Sequence, residues 1–486
     1  MKHVRRMLVV VFASLALGAC ATVGEDYVTP PQPQAGPAEA WSSQEEWDGR
    51  LDGAISDADL DPKVLARWWT VLDDATLTSL IERASSANLD LRTATARLRQ
   101  ARAQRKIAGA AAGPTAGTSG AATRQETDAG TTDLFSVGVD ASWELDLFGG
   151  KRRGIEAAEA DLQAAEEARR DVLVSVLAEV ALNYIDLRTF QRRKGLAEQN
   201  LKAQIEYRDI VLLQEQAGAA NQLDVDRATS NVETTRSQIP SFDQQIRQIQ
   251  NRLAVLVGQN PGTLDNELAD ENPLPVPSVR VAVGVPADVL RRRPDVRQAE
   301  RQLAAETARV GVAIAELYPK FTLEGSIGLE ALSLSNLFEA ASRVFRIGSR
   351  VQYNLFDGGR ARQQIEVQNA VQEEALVAYE RAILTALEDV ENAITAFTKE
   401  QLRHVSLQAA SESATNAAKL AEARFEAGDT DFLSVLDAQR TRPGAQDELA
   451  QSEGQITTAL VRLYKALGGG WNPEEAREED EPGAGT

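Results

Sequence analysis

Two patterns of apolar residues divide the chain. From Ser136 to Leu147 nearly every second residue is apolar. Val137, Val139, Ala141, Trp143, Leu145 and Leu147 fall on one face, and Ser136, Asp140, Ser142, Glu144 and Asp146 on the other. A period of two predicts a strand with unlike faces. Ile347, Val351, Tyr353 and Leu355 repeat the pattern against Arg346, Arg350, Gln352 and Asn354, and before them Phe321, Leu323, Ile327 and Leu329 alternate with Thr322, Glu324 and Ser326. Such dyads suit a barrel wall with lipid outside and water inside; a half-buried soluble sheet produces the same alternation. The second pattern is helical. Residues 152–216 and 360–427 are rich in Ala, Glu, Gln, Arg and Leu and free of proline, which predicts two helices of about 100 Å at 1.5 Å per residue.

The chain is written twice. Asp90, Arg92, Ala94, Leu98 and Pro114 recur 205 positions later as Asp295, Arg297, Ala299, Leu303 and Pro319. Leu147-Phe148 and Gly149-Gly150 return as Leu355-Phe356 and Gly358-Gly359, with Asp357 inserted between them. Beyond that point Gly218, Leu223, Val225, Leu253 and Gly258 match Gly428, Leu433, Val435, Leu463 and Gly468, at an offset of 210. A steady drift of offsets is the mark of a duplication with a few insertions.

Each half has the same predicted order. A first helix, 74–112 or 287–316, starts at Asp73-Asp74 or Pro286. Two strands follow, then a long helix, a tip at Gly218 or Gly428, and a return helix ending at Gly258 or Gly468. The stretch from Pro114 to Glu126 is a weak strand, assigned from its counterpart at Lys320 to Leu329. The fold class is α+β, mainly α. Its predicted divisions are a signal at 1–19, an extended segment at 20–72, a first repeat at 73–258, a connector at 259–285, a second repeat at 286–468 and an acidic tail at 469–486. Arg442-Pro443-Gly444 lies inside the second return helix, where proline costs about 3 kcal/mol. It predicts a bend and a second tip unlike the first.

Four strands cannot close a barrel, and lipid tolerates no open edge. A membrane reading therefore requires oligomers. Three copies give a twelve-stranded β-barrel and a twelve-helix α-barrel.

The N-terminus supports export. Lys2, Arg5 and Arg6 precede an apolar run from Met7 to Leu17, too short to span a membrane, and small residues lead to Cys20. Leu17-Gly18-Ala19-Cys20 resembles a bacterial lipobox, and Ala21-Thr22 after it point to sorting to the outer membrane. Cys20 is the only cysteine, so cleavage and lipidation there leave no disulfide, thiolate catalysis or cysteine metal site. Removing the signal shifts the formal charge from -20 to -23, which argues against a nucleic-acid partner. No catalytic constellation, metal cluster or cofactor motif is visible, so an enzyme is not expected. His404 stands among polar neighbours on a long helix and reads as a surface residue. Glycine pairs 149–150 and 358–359 precede basic residues but lack P-loop or dinucleotide spacing; they read as turns from strand to helix.

Five motifs in order resemble the TolC-like outer-membrane efflux proteins, in their NodT lipoprotein branch. They are Trp143 to Gly149, Arg292-Arg293-Pro294-Asp295 through Glu300, Leu355 to Arg360, Leu433 to Arg440 within the run from Gly428, and Leu463 to Trp471. The resemblance implies a homotrimer with an outer-membrane β-barrel and a periplasmic α-barrel. It implies a passive exit duct that docks to a periplasmic adaptor and an inner-membrane pump. A type I secretion duct is the alternative within this class, and a periplasmic coiled-coil scaffold lipoprotein the alternative outside it.

The resemblance also implies sites. The tips around Gly218 to Leu223 and Gly428 to Leu433 dock the adaptor; Leu433, Asp437 and Asp224 form the constriction as threefold rings. A plainer reading stands beside each. The glycines cap and turn helices, and Asp224 and Asp437 are acids in first helical turns, where the macrodipole stabilises them by about 0.3 to 1 kcal/mol.

Overall fold

A computed structural model describes residues 22–30, 41, 55–56, 62–128, 130–270, 273–274, 281–282 and 286–472. The predicted signal, the lipidation site Cys20, most of the extended segment, part of the connector and nearly all of the acidic tail lie outside the described residues. In chain order the elements are β1 (Ile55–Ser56), α1 (Pro62–Ala66), a 3-10 turn (Trp68–Leu72), α2 (Ala75–Ala87), α3 (Leu89–Ala110), β2 (Thr115–Thr127), β3 (Gly130–Leu145), α4 (Gly150–Gln216) and α5 (Gln222–Leu256). The second repeat follows with β4 (Val281–Ala282), α6 (Pro286–Arg292), α7 (Pro294–Ala315), β5 (Lys320–Ala331), β6 (Arg343–Gln352), α8 (Arg360–Glu426) and α9 (Phe432–Ala466). The duplication is visible in the lengths: α4 and α8 have 67 residues each, α5 and α9 have 35 each.

The residues group into two compact units. One holds 22–30, Ala96–Glu167 and Arg297–Ala382. Its sheet is antiparallel in the order β2-β3-β5-β6, so among the described residues β2 and β6 each leave one edge unpaired. Beside the sheet residues, α4 is flanked by α3 and α7 through polar contacts. Arg105 meets Glu159 at 2.7 Å and Arg102 meets Glu166 at 3.6 Å on one side; Arg297 meets Glu167 at 2.6 Å and Arg309 meets Asp161 at 2.5 Å on the other. α8 adds to α7 through Gln368 to Glu306 and Gln372 to Thr307. The apolar contribution here is small, a cluster of Ala160, Ala304 and Ala305 with Tyr27 against it.

The other unit, with residues 62–95, Ala168–Val296 and 383–472, contains the large core. Trp68, Leu77, Leu80, Tyr184, Ile185, Leu253, Phe397, Leu460 and Leu463 are buried there. Trp68 stacks on Tyr464 at 5.8 Å. Asp74 caps α2, as its place before the helix predicted, accepting from the Leu77 amide at 2.8 Å and from the Tyr184 hydroxyl at 2.7 Å.

Two helices predicted as continuous are broken. The first divides at Asn88, whose Oδ1 accepts from the Asp90 and Leu91 amides while its Nδ2 donates to the Leu256 carbonyl at 2.9 Å. The beginning of α3 thereby meets the end of α5, beside Gly258, which adopts a φ of 72° and lies against the Ala87 carbonyl. In the second repeat the break falls at Arg293, before Pro294. The Arg293 guanidinium pairs with Asp295 and Asp389 at 2.7 and 2.9 Å and donates to the Ala466 carbonyl at the end of α9. One amide and one guanidinium thus join equivalent helix ends, because a broken helix must satisfy its exposed carbonyls and amides.

Candidate functional site

The two tips are built alike. α4 ends in Gly218 at φ 75° and α8 in Gly428 at φ 78°. The left-handed turn lets the Ala219 amide reach the Gln214 carbonyl and the Asp429 amide reach the Arg424 carbonyl, both at 2.8 Å. Asn221 then caps α5 and Asp431 caps α9. Asp431 accepts from both the amide and the hydroxyl of Ser434, at 3.0 and 2.7 Å, which holds its carboxyl below the usual range. The expected difference between the tips is therefore corrected. α9 continues through Pro443, and α5 also contains a proline, Pro240, at another position. Loss of one amide donor is tolerated inside a helix whose neighbours hold it in place.

The three residues expected at the constriction are not held alike. Leu433 and Asp437 are one turn apart on the same exposed face of α9. Leu433 has 51% of its surface free in the isolated chain, and Leu223, its counterpart, 55%. Asp224 is engaged differently. Its carboxylate returns to the Asn221 amide while the Asn221 side chain accepts from the Asp224 amide, a reciprocal capping box, and Arg227 lies 3.9 Å away.

An aromatic group missed by sequence reading lies next to these tips. The Tyr207 ring on α4 stacks on Phe432 with centroids 5.8 Å apart, and Phe425 stands 6.0 Å from Tyr207. Three aromatics within a few turns of two glycine tips, in a chain only 5% aromatic, were the available signal. Burial pushes the Tyr207 phenol up, with Glu422 and Asp224 adding to it, and its hydroxyl is enclosed without a hydrogen-bond partner among the described residues. The trio attaches the end of α8 and the start of α9 to α4, each ring pair contributing about 0.5 to 1.5 kcal/mol beyond area burial.

The sheet has the two faces predicted from its alternation. Val137 pairs with Leu329, Val139 with Ile327, Trp143 with Leu323, Ile327 with Phe345 and Phe321 with Val351. Val137, Val139, Trp143, Leu323, Ile327, Phe345, Ile347 and Val351 are exposed in the isolated chain. The opposite face carries Asp140 with Ser119, Glu324 with Arg350 and Glu330 with Arg346. Gly138 opposes Gly328, where a Cβ on the latter would lie 2.5 Å from the Val137 carbonyl oxygen.

The glycine pairs are turns. Asp146 accepts from the Lys151 and Arg152 amides at the start of α4, and Asp357 accepts from the Gly359 and Ala361 amides at the start of α8. His404 is half-buried rather than fully at the surface, and its Nδ1 has no partner among the described residues. Among the described residues no group of three or more His, Cys, Asp or Glu can hold a metal ion, and no helix is long and apolar enough to cross a membrane.

An internally duplicated chain of long helices, bearing a four-stranded sheet with one apolar and one charged face, defines a class of outer-membrane channel protein. Known proteins narrow the class. The family model for outer membrane efflux protein matches residues 80–259 and 285–469, one stretch per repeat. These limits lie 205 apart at their starts and 210 at their ends, as the sequence offsets do. Nodulation protein T of Rhizobium leguminosarum bv. trifolii is 32% identical over 95% of this chain and 97% of its own. The pyoverdine export outer membrane protein OpmQ of Pseudomonas aeruginosa is 32% identical over 96% of this chain and 97% of its own. The solved outer-membrane channel OprN superposes with a TM-score of 0.86 at 36% identity, covering 93% of this chain and 100% of that one. The chain belongs to the outer membrane efflux protein family, and it is an efflux channel of the outer membrane.

Proposed function

We propose that three copies of this chain form the exit duct of a tripartite efflux system, anchored by an acylated Cys20 and docked through its tips to a periplasmic adaptor and an inner-membrane pump. The observation that carries this reading is the two-faced sheet with two open edges. An exposed apolar face suits lipid, its charged reverse suits an aqueous lumen, and only closure with further copies satisfies the edge groups of β2 and β6. In this reading residues 1–19 are removed, 20–72 carry the lipid, and the repeats at 73–258 and 286–468, joined by 259–285, build the duct ahead of the tail at 469–486.

At the tips, Leu433 and Asp437 supply an apolar ring and a carboxylate ring under threefold symmetry. Asp224 is a helix cap first, and contributes charge to the collar only from within its capping box. The tips around Gly218, Leu223, Gly428 and Leu433 form the docking surface, which explains why two leucines stand exposed in the first turns of α5 and α9.

The purified protein in detergent is tested by native mass measurement and by conductance in planar bilayers. A trimer that conducts ions is the expected result. A conducting monomer defeats the trimer, and a trimer without conductance supports the scaffold alternative. Photo-crosslinkers at Leu223 and Leu433 in cells should capture the adaptor; repeated failure at both tips places docking elsewhere.

A further inference from the structure

Residues 22–29 follow the duct reading's acylation site almost directly, and they are held in a seat built for them. The Val23 amide donates to the Phe148 carbonyl at 3.1 Å, at the turn where β3 gives way to α4. Thr22 packs on Gly149, where an added Cβ would stand 2.5 Å from the threonine methyl. Gly24, at φ 84°, lies on Gly311 of α7 so closely that a Cβ would fall 2.6 Å from the Gly311 Cα. The seat therefore needs glycine on both surfaces and a third at the turn.

Arg153, in the first turn of α4, closes over this contact. Its side chain is 3% exposed, and it donates to the Val23 and Gly24 carbonyls at 3.0 and 2.9 Å. It also pairs with Asp26 and Glu156, each at 2.7 Å. A buried guanidinium is tolerated only when its donors are used, and here two backbone carbonyls and two carboxylates use them. Farther along, Tyr27 and Thr29 hydrogen-bond to Glu300, and the Arg301 guanidinium lies over the Tyr27 ring at 5.4 Å. The strap thus touches the strand-to-helix turn and α4 of the first repeat, and α7 of the second.

We propose that residues 22–29 are a seated strap with Arg153 as its latch, and that the seat delivers the acylated N-terminus to the turn between β3 and α4. The delivery rests on acylation of Cys20; the latch does not. Cys20 is two residues from Thr22, a reach of about 7 Å of extended chain.

The test uses the full-length protein with a nitroxide at Val28→Cys, a position on the strap whose side chain is 77% exposed. Two variants open the seat from opposite sides: Arg153→Met removes the latch, and Gly24→Ala blocks the strap with no helix residue substituted, its new methyl clashing with Gly311 of α7. Loss of several charge-assisted hydrogen bonds should raise the ratio of mobile to immobile label about thirtyfold in Arg153→Met. Gly24→Ala should behave likewise, and in both the share of acylated chain recovered as outer-membrane oligomer should fall severalfold. Unchanged label mobility in both variants overturns the latch. Raised mobility with parental recovery of oligomer overturns the delivery. Mass measurement of the parent's N-terminal peptide separates the two readings: an unacylated Cys20 removes the lipid reading, while label mobility still decides the latch.

Discussion

Substituting alanine for Gly258 should cost far more than the same change at Gly218, although both glycines end helices with nearly equal φ, 72° and 75°. An L-residue in that left-handed region costs about 1 to 2 kcal/mol at either position. At Gly218 nothing lies within 4 Å of the new methyl group, so the cost stops there. At Gly258 the methyl would stand 2.6 Å from the Ala87 carbonyl oxygen and 3.3 Å from the Ala87 carbonyl carbon and Cβ. Backbone must then move, and the nearest linkage to yield is the buried hydrogen bond from Asn88 Nδ2 to the Leu256 carbonyl. Leaving those groups unpaired adds about 1 to 3 kcal/mol, for a total of about 2 to 5 kcal/mol. Gly468, the equivalent residue in the second repeat, has only the Arg293 side chain at 3.4 Å and its backbone at 3.5 Å, so its cost should stay near that of Gly218. Guanidinium unfolding of the detergent-solubilised oligomers, followed by helical circular dichroism at one fixed protein concentration, ranks the three variants. If unfolding is irreversible, rates replace midpoints. Equal losses for Gly258→Ala and Gly218→Ala would refute the argument that the helix junction, rather than glycine conformation alone, sets the cost.

Gly454→Ala should be strongly destabilising, because its Cβ would lie 2.2 Å from Thr189 Oγ1; Thr189→Ala in the same chain should recover part of the loss, and a double-mutant cycle with no coupling would sink this packing. Leu433→Ala should raise resting conductance and Asp437→Asn should weaken cation preference in single-channel recordings, whereas helix capping alone would leave both currents at the parental level. Tyr207→Ala, which removes the ring stacked on Phe432, should also raise resting conductance by loosening the second tip from α4; a parental current with lowered thermal stability would confine the ring to a structural role. Asp171 has its carboxyl pushed up by burial, with Asp295 adding to it and Lys465 and Arg293 opposing. A raised folded value means the folded chain binds that proton more tightly, so stability falls as pH rises from the ordinary aspartate value, about 3.9, through the raised one. Asp171→Asn should therefore stabilise the protein at pH 7, with the gain vanishing toward pH 3; a gain independent of pH would contradict the assignment.

The residue that starts each long helix shows what alignment of the halves misses. By offset, Asp146 corresponds to Asn354, while Asp357 is the inserted residue. Yet both aspartates accept amide hydrogen bonds at the first turn, one at α4 and the other at α8. The requirement is physical, an acceptor at a helix N-terminus, and the second repeat meets it from a different sequence position. The same holds at the broken first helices, where Asn88 and Arg293 align by offset but share no chemistry.

Several features were set by local sequence alone. Strand faces follow from a period of two, the long helices from helix formers without proline, and the tips from glycines at φ near 75°, since each depends on neighbours a few residues away. The duplication was legible for the same reason, whereas Leu433 and Asp437 were singled out by the family resemblance and not by local pattern. Tertiary structure decided the rest. Asn88 breaks a helix because its amide finds a carbonyl 168 residues away. Arg153 is buried because a strap more than 120 residues earlier offers it two carbonyls and a carboxylate. Tyr207 meets Phe425 and Phe432 only once the second repeat folds against the first. Asp224 and Asp437 read alike in the sequence as acids of first turns, and the fold corrects this: Asp224 is bound into the capping box of the first turn of α5, whereas α9 starts at Phe432 and places Asp437 in its second turn, exposed and beyond the cap. Local pattern specifies which face is apolar and where a helix turns; partners distant in sequence become visible only when packing brings them together.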